Sequence, residues 1–339
     1  MSAPGAASSA AAGRPAGDPY LGVDIGGTSI KWSVVRAGVV EASGSVPTPR
    51  VDHHAVVRTV AELAGSVDVD LAGLGVAVPG TVDHLRRRSV FIPNLPGDWS
   101  DFGVSDELER LSGLPVALLN DARAFAWAEH TSGSAQGAAN ALFITLGTGV
   151  GGAIAFRGEI LVGQLDSIGE MGHVPIDARG ELCACGGRGC LETFASATAI
   201  VGRLARTVAL GQSPVLRELT DDGSVQLTAR IAAEAARRGD PWARDAFDRA
   251  GDALGQAASM IALLLQLDVV VVGGGLRPAA DLYLPRVQTV LDARASLTGP
   301  VQARSAQHGT EAGSIGAATF AASSLSPAPT TLSNEGFRS

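Results

Sequence analysis

The chain has 339 residues, of which 46% are hydrophobic and 18% are charged, a balance that is typical of globular proteins and excludes a fibrous or wholly disordered chain. Its length is enough for two ordinary globular units that share a cleft. A formal net charge of −8 at pH 7 gives no long-range attraction to nucleic acid or to an anionic membrane surface. Only 4% of residues are aromatic, so aliphatic side chains must fill the core, which favours an α/β protein.

The two ends of the chain are rich in small and polar residues. Residues 1–18 lack the basic start and apolar segment of a targeting sequence, and both they and the Ser, Pro and Thr-rich residues 324–339 are predicted to be disordered tails. The most apolar stretch, 260–272, contains Asp268 and falls short of a membrane span. All three cysteines lie within 183–190, and an odd number of thiols favours a reducing cytoplasm over a disulfide framework.

A strand, a glycine turn and a second strand open the predicted fold over residues 20–35, and residues 39–46 add a third strand. The pattern returns further along the chain, where an ungapped alignment places Leu21 on Leu142 and Val34 on Ala155. Two explanations stay open here. The chain contains a distant duplication with two facing lobes, or two apolar hairpins resemble each other by chance.

The segments between and after these two copies alternate between helical and strand patterns. The predicted helices are 55–64, 106–111, 122–130, 228–238, 241–265, 281–293 and 312–322, and the predicted strands are 74–78, 116–119 and 268–272. Asn120 and Asp121 lie between a strand and a helix, where α/β proteins commonly bind ligands. They are also ordinary helix-capping residues. In the functional interpretation, Asp121 accepts the proton of a hydroxyl that attacks a γ-phosphoryl group, and Asn120 hydrogen-bonds a neighbouring hydroxyl.

Three glycine-rich turns follow predicted strands, at 26–28, 147–152 and 273–275. Backbone N–H groups in such turns can approach phosphate oxygens, and Asp24 before the first turn is a candidate ligand of Mg²⁺, directly or through water. Neither of the first two turns fits the P-loop pattern G-x-x-x-x-G-K-[ST], and the first turn does not fit the Rossmann pattern G-x-G-x-x-G. The three turns together predict a nucleotide held between two lobes.

The most specific local signal is a group of three cysteines and one histidine with glycines crowded between the cysteines. The four candidate ligands are His173, Cys183, Cys185 and Cys190. Such a set forms a closed tetrahedral zinc site with no open position for a catalytic water, so the zinc is expected to be structural. Ordinary buried cysteines are the alternative. A zinc here would hold Glu170 and Glu192 on a rigid loop, where each can accept hydrogen bonds from sugar hydroxyls.

Several motifs in order resemble those of glucokinases of the ROK (repressor, open reading frame, kinase) family. They are Asp24-Ile25-Gly26-Gly27-Thr28, Asn120-Asp121-Ala122, Leu146-Gly147-Thr148-Gly149-Val150-Gly151-Gly152, Gly169-Glu170-Met171-Gly172-His173 and the cysteine cluster through Glu192. The resemblance implies an actin-like ATPase (ribonuclease H-like) fold with two α/β lobes and a central cleft. A small lobe is expected at 19–137, with the helix 310–323 packed back on it, and a large lobe with the zinc knuckle is expected at 138–309.

The resemblance also implies roles for single residues and the use of ATP, Mg²⁺ and structural Zn²⁺. Asp121 is the expected catalytic base. The expected acceptor contacts are Asn94, Asn120, Asp121, Glu170, His173 and Glu192. The expected ATP contacts are Asp24, Gly26, Gly27, Thr28, Thr148, Gly149, Gly274 and Gly275.

The expected function is ATP-dependent phosphorylation of the primary C6 hydroxyl of glucose or a close hexose, by a cytoplasmic homodimer or homotetramer. Arg123 stands where the family usually has Asn, and Leu-Asp-Ser-Ile at 165–168 replaces a smaller lead-in to Glu170. An amino or N-acetyl hexose and a sugar-like C7-cyclitol therefore stay open as acceptors. Two function classes other than a kinase also stay open, namely a non-catalytic sugar sensor and a ROK repressor without its DNA-binding domain. A repressor is expected to carry a helix-turn-helix ahead of the first glycine turn, and the roughly nineteen residues before the first predicted strand are not expected to form one.

Overall fold

A computed structural model describes residues 17–83, 87–92, 94–163 and 166–325. The predicted tails thus lie mainly outside the described residues, as does Leu165 of the lead-in to Glu170. The described strands are β1 (Pro19–Ile25), β2 (Ser29–Arg36), β3 (Val39–Pro47), β4 (Gly73–Val78), β5 (Thr81–Asp83), β6 (Arg88–Phe91), β7 (Val116–Asn120), β8 (Ala141–Leu146), β9 (Val150–Phe156), β10 (Glu159–Ile160), β11 (Val269–Gly273) and β12 (Gln302–Ser305). The described helices are α1 (His53–Ser66), α2 (Val104–Ser112), α3 (Asp121–Ser132), α4 (Glu192–Ala195), α5 (Ala197–Ala209), α6 (Pro214–Leu219), α7 (Ala229–Arg237), α8 (Pro241–Leu265), α9 (Ala280–Asp292), α10 (Ala295–Thr298) and α11 (Ala312–Leu325).

All the strands and helices predicted from the sequence are confirmed, with ends that differ by at most three residues. The elements that were not predicted are β5, β6, β10, β12, α4, α5, α6 and α10. Most of these are short, and β12 is an edge strand of four mainly polar residues. α5 is longer, and Ser196 accepts a hydrogen bond from the Ala199 N–H as its N-cap, a signal that the sequence does contain.

Two five-stranded sheets have the same organisation. The strand order is β3-β2-β1-β4-β7 in the first sheet and β10-β9-β8-β11-β12 in the second. In each sheet three antiparallel strands are followed by two parallel ones. The shared order supports a duplication over a chance resemblance.

The strand registers correct the ungapped alignment of the two copies. Leu21 pairs with Val34 in the first sheet, whereas Leu142 pairs with Ile154 in the second. The alignment had placed Val34 on Ala155. Four residues separate the paired strand ends in the first glycine turn, but only three do so in the second. The ungapped alignment is therefore wrong by one residue in the strand that follows the turn.

α3 and α11 join the two sheets. α11 packs on β1 and β4 and against α3, which also contacts β8 and β9. Gly22 and Gly75 make this approach possible, since a Cβ at either position would overlap the backbone of α11. Gly316 of α11 lies equally close to the backbone of α3. The C-terminal helix therefore packs on the first sheet, while the lobe boundaries at 19–137 and 138–309 stay a prediction.

Other helices cover the face of each sheet opposite to α3 and α11. α1 and α2 contribute Val56, Val60 and Leu108 to the core of the first sheet, and α8 and α9 contribute Phe247 and Tyr283 to the core of the second. Within the described ranges, no helix combines the length and apolar character that crossing a membrane requires.

Candidate active site

Asp121 is the first residue of α3 and follows directly on the buried strand β7. The preceding residue, Asn120, has an extended backbone, so its Oδ1 can cap α3 by accepting a hydrogen bond from the Ala122 N–H at 2.8 Å. Its Nδ2 donates to the carbonyl of Gly80, just beyond β4, at 2.7 Å. This cap joins the ends of two neighbouring parallel strands and leaves the Asp121 side chain exposed at the start of the helix.

The carboxyl group of Asp121 has a pKa raised to about 7. The largest cause is desolvation, because protein atoms replace much of the water around the carboxyl group even though one side of it is open. The negative charges of Asp24 and Glu170 raise the pKa further. The Ala122 N–H and the charge of Arg123 oppose the increase. A carboxylate that is open to the cleft and has a pKa near neutrality is well suited to accept a proton as a general base.

Two cavities, each of about 330 Å³, meet at Asp121. The first cavity is lined by Asp24, Lys31, Arg277 and Thr310, among others. The second is lined by Thr148, Gly149 and Glu192, among others. Four residues line both cavities, namely Asp121, Thr145, Gly274 and Gly275. The arrangement offers two adjoining spaces beside one carboxylate.

Asp24 and Lys31 face the first cavity from neighbouring strands, where they are paired in the register of β1 and β2. Burial raises the pKa of Asp24, and the positive charge of Lys31 opposes this increase. Asp24 and Asp121 thus place two carboxylates around one cavity. Such oxygen atoms suit Mg²⁺, whose charge would offset the repulsion between them.

The glycine turns after β8 and β11 present bare backbone to the cavities. Gly274 has a φ of +83°, and a Cβ there would lie 2.6 Å from the carbonyl oxygen of Leu146. Gly149 packs against Glu192, whose Oε2 also accepts a hydrogen bond from the Val150 N–H at 2.9 Å. Because glycine has no side chain, the backbone of these turns can approach a phosphate more closely than that of other residues.

The first glycine turn, with Gly26, Gly27 and Thr28, follows Asp24 but lines neither cavity among the described residues. Asn94 packs on this turn. It has a left-handed φ of +62°, and a Cβ at Gly27 would lie 3.1 Å from its carbonyl oxygen. The binding roles of these four residues stay predictions.

The candidate zinc ligands come together as the sequence predicts. The ligand atoms of His173, Cys183, Cys185 and Cys190 all lie within 4.8 Å of one another. Cys183 Sγ is 3.7 Å from His173 Nδ1, and Cys185 Sγ is 3.6 Å from Cys190 Sγ. A tetrahedral zinc with Zn–S bonds of about 2.3 Å holds its ligand atoms about 3.5–3.8 Å apart. The residues therefore fit a closed zinc site.

Two of the predicted acceptor contacts, Glu170 and His173, are open to solvent, whereas Asn120 is buried. Glu170 is 47% exposed, and its Oε1 lies 3.5 Å from Arg123 Nη1. The ring of His173 is exposed, and because Nδ1 faces Cys183, Nε2 lies on the far side. Asn120 is 5% exposed, and its helix cap already uses Oδ1 and one N–H of Nδ2.

Sequence reasoning missed three polar side chains of the first cavity, Lys31, Arg277 and Thr310. Lys31 had a signal, since a tight hairpin after β1 places it opposite Asp24. Arg277 follows the third glycine turn, and its Nε donates to the carbonyl of Ala306 at 2.7 Å. Because this contact joins two segments that are distant in the sequence, local sequence patterns could not predict it.

Comparison with known proteins decides the family. The ROK family model matches residues 20–324. The chain belongs to the ROK family. A glucokinase of Halalkalibacterium halodurans is 35% identical over 311 residues, which cover 88% of this chain and 93% of the relative. An N-acetylmannosamine kinase of Yersinia pestis is 34% identical over 310 residues, with coverage of 90% and 99%.

A solved structure agrees with this ROK assignment. It is a ROK family glucokinase from Streptomyces griseus in complex with glucose and AMPPNP, with 33% identity, a TM-score of 0.74 and coverage of 89% of this chain and 98% of that one. The prediction of an actin-like ATPase fold is confirmed. The two sheets of equal strand order are the two halves of that fold.

Proposed function

We propose that this ROK-family sugar phosphotransferase transfers the γ-phosphoryl group of ATP to the primary C6 hydroxyl of a hexose, with glucose as the first candidate. The observation that carries the proposal is the position of Asp121. Its carboxyl group, with a pKa raised to about 7, lies where two cavities meet. Phosphoryl transfer to a hydroxyl is assisted by a proton acceptor within hydrogen-bond reach of the attacking hydroxyl.

In the proposed reaction Asp121 accepts the proton of the acceptor hydroxyl. The hydroxyl oxygen forms a bond to the γ-phosphorus, while the bond from that phosphorus to the β,γ-bridging oxygen breaks and ADP leaves. The products are the sugar phosphate and ADP, with the proton on Asp121 until it passes to solvent. The N–H group of Ala122 at the start of α3 stabilises the anionic form of Asp121 and offsets part of the pKa increase.

The donor side is proposed to bind ATP through backbone N–H groups of the three glycine turns. The residues are Gly26, Gly27, Thr28, Thr148, Gly149, Gly274 and Gly275. Asp24 would hold Mg²⁺ directly or through water, and the ion would neutralise charge on the transferred phosphoryl group. The two carboxylates around the first cavity and the exposed backbone of the second and third turns support this assignment.

The acceptor side is proposed to use Asn94, Asn120, Asp121, Glu170, His173 and Glu192. A structural zinc bound by the three thiolates and His173 Nδ1 would fix the segment that carries three of them. Binding through Nδ1 leaves the Nε2–H of His173 as a hydrogen-bond donor. Glu170 and Glu192 would accept hydrogen bonds from acceptor hydroxyls.

A second candidate acceptor is an N-acetyl hexose. The relatives named N-acetylmannosamine kinase are 34% identical and the glucokinase is 35% identical, so overall similarity favours neither acceptor. An amino sugar and a C7-cyclitol are further alternatives within the same reaction. A non-catalytic sensor or a repressor is less favoured because Asp121 and all the glycine turns are present. We also propose that the protein acts in the cytoplasm as a homodimer or homotetramer.

The test is ADP release from ATP and Mg²⁺ over a panel of acceptors: glucose, mannose, N-acetylglucosamine, N-acetylmannosamine, kanosamine and a C7-cyclitol. Turnover with one of them would support a sugar kinase and name its acceptor. A folded, zinc-loaded protein that turns over none of them would contradict the proposal and favour the sensor.

A further inference from the structure

Arg123 and Asp166 form an ion pair that is fully enclosed by protein. Each residue is only 1% exposed, and Arg123 is among the largest fully buried side chains of the described residues. Arg123 Nε lies 3.2 Å from Asp166 Oδ1. The two residues belong to distant parts of the chain, since Arg123 lies in the first turn of α3 and Asp166 lies in the segment after β10. Their pairing therefore connects two segments next to the cleft.

Asp166 also binds the end of β7. Its Oδ2 accepts a hydrogen bond from the backbone N–H of Asn120 at 2.7 Å. Asn120 directly precedes Asp121, and its side chain caps α3. One carboxylate thus contacts both the helix residue Arg123 and the backbone on which Asp121 is mounted.

The remaining nitrogen atoms of Arg123 bind the segment that leads to Glu170. Nη2 donates to the carbonyl of Ile168. Nη1 lies 3.3 Å from the carbonyl of Gly152 and 3.5 Å from Oε1 of Glu170. Nη1 is also 3.3 Å from Oδ1 of Asn120. The planar guanidinium therefore reaches both the strand end and the Glu170 segment, which the single ammonium of lysine cannot do.

We propose that Arg123 and Asp166 are positioning residues for the acceptor side of the reaction, an inference that rests on the proposed function. The pair holds the segment that carries Glu170 against the strand end that carries Asn120 and Asp121. Arg123 contacts one carboxylate oxygen of Glu170 and leaves the other to accept a hydrogen bond from an acceptor hydroxyl. Neither residue lines the cavities, so each acts through the residues that it holds.

The test compares Arg123→Lys and Asp166→Asn with the wild-type protein. Arg123→Lys keeps the positive charge that the buried Asp166 requires but loses the fork, and Asp166→Asn keeps the shape but loses the negative charge. The matched control is Arg286→Lys, because Arg286 pairs with Asp252 at 2.8 Å on the exposed faces of α8 and α9.

We expect both variants to raise the KM of the acceptor by about tenfold or more and to lower kcat, because small misplacements of a binding group are costly. The KM of ATP should change by less than about twofold, because the contacts described above link Arg123 and Asp166 to Asn120 and to the Glu170 segment of the acceptor side. Arg286→Lys should leave both KM values unchanged. A purely structural role would lower the melting temperature and the active fraction without changing the acceptor KM. That result, or an equal increase in the KM of ATP, would overturn the inference.

A second measurement does not depend on turnover. Backbone hydrogen exchange, followed by mass spectrometry on the full chain, should be faster in Arg123→Lys both at 166–173 and at the β7–α3 junction, since the pair holds these two segments together. Unchanged exchange at both places would overturn the inference even if the variants lost activity. If the wild type phosphorylates no acceptor, the proposed function fails, and the exchange data alone decide the role of the pair.

Discussion

The two sheets share one strand order, yet the ends of their parallel strands carry different chemistry. In the first sheet β1 carries Asp24 near its end, before the glycine turn 26–28, and β7 ends at Asn120, directly before Asp121. In the second sheet β8 and β11 lead into the glycine turns 147–149 and 273–275. Residues of both sets line the same two cavities. At these cavities the strand ends of the first half contribute the carboxylates of Asp24 and Asp121, and those of the second half contribute glycine backbone.

Under the proposed function, we expect this difference to give the two halves separate tasks. Changes at the strand ends of the first half should affect the chemical step, and changes at those of the second half should affect ATP binding. Only the second half contains the cysteine cluster, which consists of Cys183, Cys185 and Cys190 together with His173. Changes there should affect acceptor binding.

The largest effect should come from Asp121→Asn. The amide keeps the size of the side chain and can still accept the Ala122 N–H, but it cannot accept a proton. We expect kcat to fall by about 10²–10⁴-fold, with little change in the binding of sugar and ATP measured by calorimetry. Asp245→Asn on the exposed face of α8 is the control. Unchanged turnover in Asp121→Asn would remove this residue from the role of base.

The wild-type pH profile is the next test of the first half. Because Asp121 must be deprotonated to accept a proton and its pKa is raised to about 7, kcat/KM should fall below neutral pH. The decrease should be about tenfold per pH unit, or about 100-fold at pH 5. A profile that stays flat down to pH 5 would mean that the base has an ordinary carboxyl pKa.

Cys185→Ala tests the feature that only the second half has. Loss of one of four ligands should release the zinc and loosen the segment that carries Glu170 and Glu192. We expect the zinc content to fall from one ion per chain and the acceptor KM to rise by about tenfold, with a smaller change for ATP. Metal analysis of the wild type is the control. If the wild type contains no zinc, the prediction of a zinc site is wrong, and the turns alone hold the cysteine cluster.

Gly274→Ala tests the bare backbone of the second half. A methyl group there meets the carbonyl of Leu146 and requires a left-handed φ, so the turn that is proposed to bind the phosphates of ATP must change its conformation. The KM of ATP should rise by about tenfold, because strain of this kind is worth about 1–3 kcal/mol. Gly299→Ala is a close control, since its φ is +74° and nothing lies within 4 Å of the added methyl group. Equal effects in the two variants would show that backbone strain alone matters.

Local patterns in the sequence were enough for much of the fold and for parts of the site. The glycine turns, the Asn120-Asp121 junction and the cysteine cluster each depend on neighbours within a few residues, so spacing alone predicts them. The pairing of Arg123 with Asp166 could not be predicted, because it joins residues 43 positions apart across two elements. Each of these two residues was noticed only as a departure from the family pattern. The structure shows that the two departures contact each other.

The smallest expected effect is at the connection between the two halves, at Glu129 near the end of α3. Its fully buried carboxylate accepts hydrogen bonds from the N–H groups of Ser134, Gln307 and His308 at 2.8, 3.0 and 2.7 Å. These bonds hold the loop that continues to Thr310 in the first cavity. Glu129→Gln replaces an accepting oxygen with a donating amide and should lower the free energy of unfolding by about 1–3 kcal/mol.

The exposed Glu234→Gln, which loses only a surface pair with Arg238, is the control for Glu129→Gln. Chemical denaturation measures the stability of both variants, and the KM of ATP shows whether the loop has moved. A loss of stability with unchanged KM values would mean that Glu129 joins the halves without placing the loop. An increase in the KM of ATP alone would make the loop of the first cavity a third part of the donor site, beside the charged strand ends and the glycine turns.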